Sequence, residues 1–136
     1  MLLEKGTFLA FSGSKNHLFF VCCDPIYYPT NQKDCFLAVN ISSVPTDLES
    51  ISYDTSCILR PGDHPFIIRD SYVFYEKAAI FGADTVINHM QNGDVIPKEP
   101  CSYNVFQRII NGFEITDALT YKTKRFYENY VKRSNK

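Results

Sequence analysis

Tryptophan is absent from the 136 residues, and no stretch approaches the roughly 18 consecutive apolar residues that a membrane-spanning helix requires. Glu4 and Lys5 interrupt the first apolar residues, so the N-terminus lacks the pattern of an export signal. The chain is therefore expected in the cytoplasm, away from membranes. Also missing are the phosphate-loop pattern G-x-x-x-x-G-K-[ST], the dinucleotide fingerprint G-x-G-x-x-G, the zinc-protease pattern H-E-x-x-H and the hydrolase elbow G-x-S-x-G. ATP hydrolysis, dinucleotide chemistry and those two hydrolytic chemistries lose their usual sequence support. Three histidines (His17, His64, His89) stand far apart, and no C-x-x-C pair exists among Cys22, Cys23, Cys35, Cys57 and Cys101. Neither metal nor cofactor is expected, and the odd number of thiols in apolar settings reads as buried free cysteine in a reducing compartment.

What is present is aromatic and strand-like. Nine tyrosines and eleven phenylalanines suit sheet cores better than a helical bundle. The first strand is expected over Gly6 to Phe11, closed by a turn at Ser12 to Asn16. A hairpin partner follows over His17 to Cys23, whose continuous apolar run implies cover on both faces before Asp24-Pro25 ends it. Tyr27 to Asp34 reads as a loop, Cys35 to Ile41 as a central strand, and Ser42 to Asp54 as a polar connection. Short strands are expected at Ser56 to Leu59, Phe66 to Arg69 and Asp70 to Tyr75, the last continuing through Lys77 to Ile80. Asp84 to Met90 fits either a helix or a strand, and Gln91 to Pro100 a polar loop. Ser102 is positioned to cap a helix ending at Asn111, with Gly112 as its stop. Thr116 or Thr120 would cap a second helix reaching about Lys132.

This order predicts one α+β domain over 1–136, with a strand-rich part at 1–82, a connecting segment at 83–100 and a helical end at 101–133. The architecture expected is a small curved antiparallel sheet or SH3-like β-barrel followed by two C-terminal helices. A doubly wound parallel sheet would need helices between the early strands, and none is indicated.

Chemistry is concentrated in a few polar residues. In Arg60-Pro61-Gly62-Asp63-His64-Pro65, two prolines hold the backbone around an imidazole that Arg60 and Arg69 flank. Such an imidazole could transfer protons at a phosphodiester while the guanidinium groups offset the added negative charge. Lys15 and His17 begin the second strand, and Ser42 and Ser43 follow the third, where hydroxyls could donate to phosphate oxygens. The net charge of −1 hides an asymmetry: residues 1–100 carry seven Lys/Arg against twelve Asp/Glu, and 101–136 carry seven against three. Lys122, Lys124, Arg125, Lys132, Arg133 and Lys136, interleaved with tyrosines, are either the solvated side of a terminal helix or a contact for nucleic-acid backbone.

The layout resembles the MazF/PemK (Kid and CcdB-like) toxin family. Lys5-Gly6-Thr7-Phe8-Leu9-Ala10-Phe11 is similar to that family's first strand, Lys15 to Val21 to its second and Ala38 to Ser43 to its third, with Asp70-Ser71-Tyr72-Val73 resembling a later D-S-x-V segment. The resemblance implies an SH3-like barrel with a helical end, a homodimer and a cognate antitoxin partner. It also implies RNA cleavage without a metal, using an arginine at the start of the second strand and a hydroxyl residue after the third. Ser42 matches the second position, while Lys15 and His17 stand near the first. The expected activity is thus that of a toxin-like endoribonuclease of a toxin–antitoxin or phage-defence system, with His64, His17, Arg69 and Ser42 as catalytic candidates and Lys15, Arg60, Ser43, Lys124 and Arg125 as RNA contacts. CcdB-like relatives supply the rival, a non-catalytic module that binds an antitoxin, a target enzyme or itself. A weaker alternative treats Ser102 to Lys132 as a helix-turn-helix entering DNA.

Overall fold

A computed structural model of the chain describes residues 2–12, 15–46 and 52–132. Eight antiparallel strands form one curved sheet: β1 (Thr7–Ser12), β2 (Lys15–Val21), β3 (Ile26–Tyr28), β4 (Lys33–Ser43), β5 (Ile58–Leu59), β6 (Ser71–Val73), β7 (Ala79–Gly82) and β8 (Ile96–Lys98). Helix α1 (Ala83–Gln91) packs beside β4 and β7, while α2 (Tyr103–Ile115) and α3 (Tyr121–Phe126) follow the last strand; a π-helical turn, Tyr127–Val131, prolongs α3. The α+β class with helices at the C-terminal end is what the order of sequence signals requires. Of the two expected sheet forms, the curved sheet is present. Its hydrogen-bonded path runs β5-β6-β4-β2-β1-β8, and no pairing among the described residues closes it into a barrel.

β4 organises the sheet. Its eleven residues are buried from Cys35 to Ile41, as expected for a strand covered on both faces. One edge pairs with β3 (Ile26↔Cys35) and then β2 (Val21↔Ala38, Phe19↔Asn40); the other pairs with β7 (Cys35↔Gly82, Ala38↔Ala79) and then β6 (Ile41↔Val73, Ser43↔Ser71). Each flanking ribbon is broken midway. Asp24-Pro25 separates β2 from β3, and a 3₁₀ turn at Tyr75–Lys77 separates β6 from β7. A broken ribbon can follow a twisted central strand along its length, which gives the sheet its curvature.

Three expected boundaries shift. The segment read as a loop at Tyr27 to Asp34 contains β3, because Tyr28 turns inward onto Phe126 (ring centroids 5.0 Å) and Tyr130 (5.9 Å). Phe66 to Arg69, expected as a strand, is a turn and extended wall with no ladder partner. Gln91 to Pro100 contributes β8 to the free edge of β1. Two expected features, the tip of the turn at Gly13-Ser14 and part of the polar connection at 47–51, lie outside the described residues, as do Arg133 and Lys136.

Packing explains the helices. Ser102 Oγ accepts from Val105 N–H at 3.1 Å and so caps α2 as its position predicts; Thr120 Oγ1 accepts from Thr123 N–H at 3.3 Å and caps α3. Gly112 does not stop α2, which continues to Ile115. Its role is close approach: a Cβ there would meet the Tyr75 hydroxyl oxygen at 1.8 Å, and that hydroxyl donates to Ile109 O at 2.7 Å. The Tyr75 ring packs edge-on against Phe113, which stacks in turn on Tyr127 at 4.8 Å. The aromatic side of α3 and its π turn thus belongs to the core. All five cysteines are buried free thiols, and burial pushes Cys23, Cys57 and Cys101 up to about 11, well away from the reactive thiolate range.

Two consequences are measurable. Gly112→Ala is expected to cost about 3 kcal/mol or more in denaturant unfolding, since the added methyl overlaps a fully buried, hydrogen-bonded tyrosine. The second concerns Asp54: burial alone would raise its carboxyl, but hydrogen bonds from Ser56 and from Thr116 Oγ1 (2.6 Å) outweigh it and hold the group below its ordinary 3.8. A lowered folded-state value stabilises the protein above the unfolded value and loses that contribution as pH falls through the folded one. Thr116→Val should therefore destabilise the protein at pH 7, with the difference from the parent narrowing below pH 3.8.

Candidate functional site

The pairing of β2 with β4 stops at Phe19↔Asn40, although β2 extends back to Lys15 and β4 continues to Ser43. Past that point the two strand ends part. The ring of His17 reaches across the fork, its Nδ1–H donating to Ile41 O at 3.3 Å. With Nδ1 as donor to a carbonyl, Nε2 of the neutral ring carries the lone pair, and no other described group bonds to it.

The fork opens into a cleft of about 610 Å³. β2 supplies Lys15, Asn16 and His17, β4 supplies Ser42 and Ser43, and the third wall is the segment from Pro65 to Arg69, with Ser71 behind it. Five of the nine candidate residues therefore meet here: His17, Arg69, Ser42, Lys15 and Ser43. Among the described residues, no carboxylate lines the cleft. Among the described residues, neither Lys15 nor Arg69 has an ion-pair partner; Asp70, next in sequence to Arg69, faces Arg60 Nε at 3.8 Å instead. Two cations without counter-charge beside hydroxyl donors form a surface suited to an anion.

Arg69 is held from behind. Ser71 Oγ donates to Arg69 O at 3.0 Å, and Val44 N–H donates to Asp70 O at 2.9 Å, pinning the segment to the end of β4. The preceding turn is fixed through Asp63, whose carboxylate accepts from Arg60 N–H at 2.8 Å and meets Arg108 Nη2 at 2.8 Å. Gly62 sits at φ +102°, a conformation that glycine adopts without strain.

His64 departs from the expected catalytic role. The ring is buried at 4% exposure and lies edge-on to Phe20, with ring centroids 6.0 Å apart. Its Nδ1 accepts from Phe66 N–H at 3.1 Å, and its Nε2–H donates to Glu99 O at 2.7 Å, with Thr7 Oγ1 at 3.3 Å. Both nitrogens are occupied, so this imidazole joins the cleft wall to the segment after β8. Arg60, Lys124 and Arg125 are also outside the cleft. Arg60 is exposed near Asp70; Lys124 borders a separate cavity that includes Glu114, Asp117 and Glu128; Arg125 donates to Tyr121 Oη at 3.2 Å.

Sequence reasoning missed the cleft's apolar side. Phe66 (44% exposed) and Ile68 (78% exposed) stand open on the wall beside the cations. Reading 66–69 as a strand concealed them, although proline on one side and charge on the other were signs of a surface turn. Among the described residues, no three His, Cys, Asp or Glu side chains converge as metal ligands, and no helix is long and apolar enough to cross a membrane. No family model matches the chain, and neither does a curated protein or a solved structure.

The two imidazoles should separate cleanly in unfolding experiments. His64→Leu is expected to cost about 1–3 kcal/mol because it removes both hydrogen bonds of a buried ring, the one from the part-buried Phe66 N–H and the one to Glu99 O, whereas His17→Ala should cost about 1 kcal/mol or less.

Proposed function

We propose that the protein is a metal-independent endoribonuclease of the toxin type, acting in the cytoplasm on RNA and paired with a cognate antitoxin. The observation that carries this reading is the cleft at the β2/β4 fork, where an imidazole with a free Nε2, two cations and two serines meet, with no ion-pair partner for the cations and no lining carboxylate among the described residues. His17 Nε2 takes the proton from a ribose 2′-hydroxyl as that oxygen attacks phosphorus. Arg69 and Lys15 offset the charge on the five-coordinate phosphorus, and Ser42 donates to one of its equatorial oxygens. The bond from phosphorus to the 5′-oxygen then breaks, and that oxygen leaves with a proton from water. The products are a 2′,3′-cyclic phosphate and a 5′-hydroxyl. Ile41 O orients the ring by binding Nδ1–H, much as a second group orients a catalytic imidazole elsewhere. Phe66 offers a face on which an unpaired base can stack.

A second reading, a module that binds a protein without cutting RNA, draws on the exposure of Phe66 and Ile68 on one rim, since apolar side chains beside polar ones are common in protein contacts.

Incubating the protein with single-stranded RNA in EDTA decides between them. Cleavage with cyclic-phosphate ends is expected in chelator, with His17→Ala slowing it by about 10²–10⁴-fold and Arg69→Ala by about 10²–10³-fold. Intact RNA with the unmodified protein removes the nuclease reading; growth arrest with intact RNA after induction in a bacterial host supports the binding module.

A further inference from the structure

A second cavity, of about 510 Å³, lies between the loop before β5, the strand β6 and the end of α2. Its wall is aromatic. Tyr53 and Tyr72 lie 5.2 Å apart between centroids at 31°, and Tyr72 and Phe74 lie 5.3 Å apart at 51°, forming a row of three tilted, half-buried rings. Around the rings stand Asp54, Glu76 and Asp117, and among the described residues no Lys, Arg or His lines the cavity.

The carboxylates are not equivalent. Asp54 is engaged by Ser56 N–H and Thr116 Oγ1, which keep it ionised and fixed. Glu76 and Asp117 are exposed and have no ion-pair partner among the described residues. A neighbouring cavity differs in this respect: it too has Glu114, Asp117 and Glu128, but Lys124 and Lys132 line it, and Lys132 pairs with Glu114 at 3.1 Å. Solvated carboxylates alone would be an ordinary acidic surface. Ring faces beside uncompensated negative charge favour a cation that is both flat and weakly hydrated, because it can lie against a ring while its N–H groups reach the carboxylates. An ammonium is compact and strongly hydrated and gains less from a row of tilted rings.

We propose that this cavity binds an arginine side chain presented by a basic segment of a partner protein, its guanidinium lying against Tyr72 and Phe74 and donating to Glu76 and Asp117. The inference stands independently of the RNA-cleavage reading, since it uses none of the residues of the β2/β4 cleft.

The test is a titration of the full-length ¹⁵N-labelled protein with three acetylated, amidated pentapeptides, Gly-Gly-X-Gly-Gly, in which X is arginine, lysine or citrulline. The arginine peptide should give saturable shifts centred on the amides of Tyr72, Phe74 and Glu76. The citrulline peptide, equal in shape but uncharged, should give none, and the lysine peptide should bind at least about threefold more weakly. Glu76→Gln combined with Asp117→Asn, both at exposed positions, should weaken arginine binding by about tenfold or more without altering the rest of the spectrum. Tyr72→Leu should weaken it by about threefold or more. Equal binding of citrulline or lysine, linear non-saturating shifts, or unchanged affinity in the double variant would each overturn the assignment.

Discussion

One long strand with too many partners sets the shape of this protein. β4 pairs along both edges with four other strands, and a twisted strand cannot keep all four ladders in register along its whole length. The ladders are interrupted at Asp24-Pro25 and at the 3₁₀ turn, and β2 parts from β4 beyond Phe19↔Asn40. That parting exposes backbone groups which further pairing would have satisfied. His17 supplies a side-chain donor for one of them, the Ile41 carbonyl, and in doing so is oriented with its other nitrogen free. The cleft and the orientation of its imidazole therefore have a common origin in sheet geometry.

The third wall of the cleft depends on a different constraint. The turn at 60–67 satisfies part of its backbone itself, through Asp63 N–H to Arg60 O and Ile67 N–H to His64 O, and the part-buried Phe66 N–H takes its acceptor from the His64 ring. The same ring bonds Glu99 O, so the segment bearing Arg69 is fastened to the far end of the sheet beyond β8. Histidine suits this position because one neutral ring offers an acceptor and a donor on opposite sides; leucine offers neither, and lysine has no acceptor.

Much of the architecture was legible in residue order because its signals are local. Apolar runs marked β1, β2 and β4, Ser102 marked the start of α2, and Thr120 was one of the two threonines that could start α3. What remained hidden depends on contacts across the chain. Gly112 looks like a helix stop until Tyr75, thirty-seven positions earlier, is seen to occupy the space of its missing Cβ. His64 looks like a catalytic group because prolines and arginines surround it in sequence, but its environment is set by Thr7, Phe20 and Glu99. His17, Lys15, Ser42 and Ser43 were legible as candidates for the opposite reason: they lie in the end segments of β2 and β4, which antiparallel pairing brings together. Arg69 was legible only as a flank of the His64 turn, and reaches the cleft because that turn forms its third wall. Lys124 and Arg125 stand out by charge and Arg60 by sequence proximity to His64, and neither determines which surface a residue joins.

Strand β6 brings two surfaces of opposite sign into close relation. Ser71 stands behind the cationic cleft, the next residue, Tyr72, belongs to the aromatic and acidic cavity, and Val73 is in the core. Side chains of a strand alternate, so Ser71 and Val73 share the buried face while Tyr72 stands on the other, and the cationic cleft and the acidic cavity lie at consecutive residues of one strand. A net charge of −1 conceals this arrangement completely. The ladder pairs Ser43↔Ser71 and Ser42↔Tyr72 join the serines of the cleft directly to the strand that carries Tyr72. Occupation of the cavity can alter the cleft only if β6 moves differently in the two states, since a ligand without differential affinity for two arrangements changes neither.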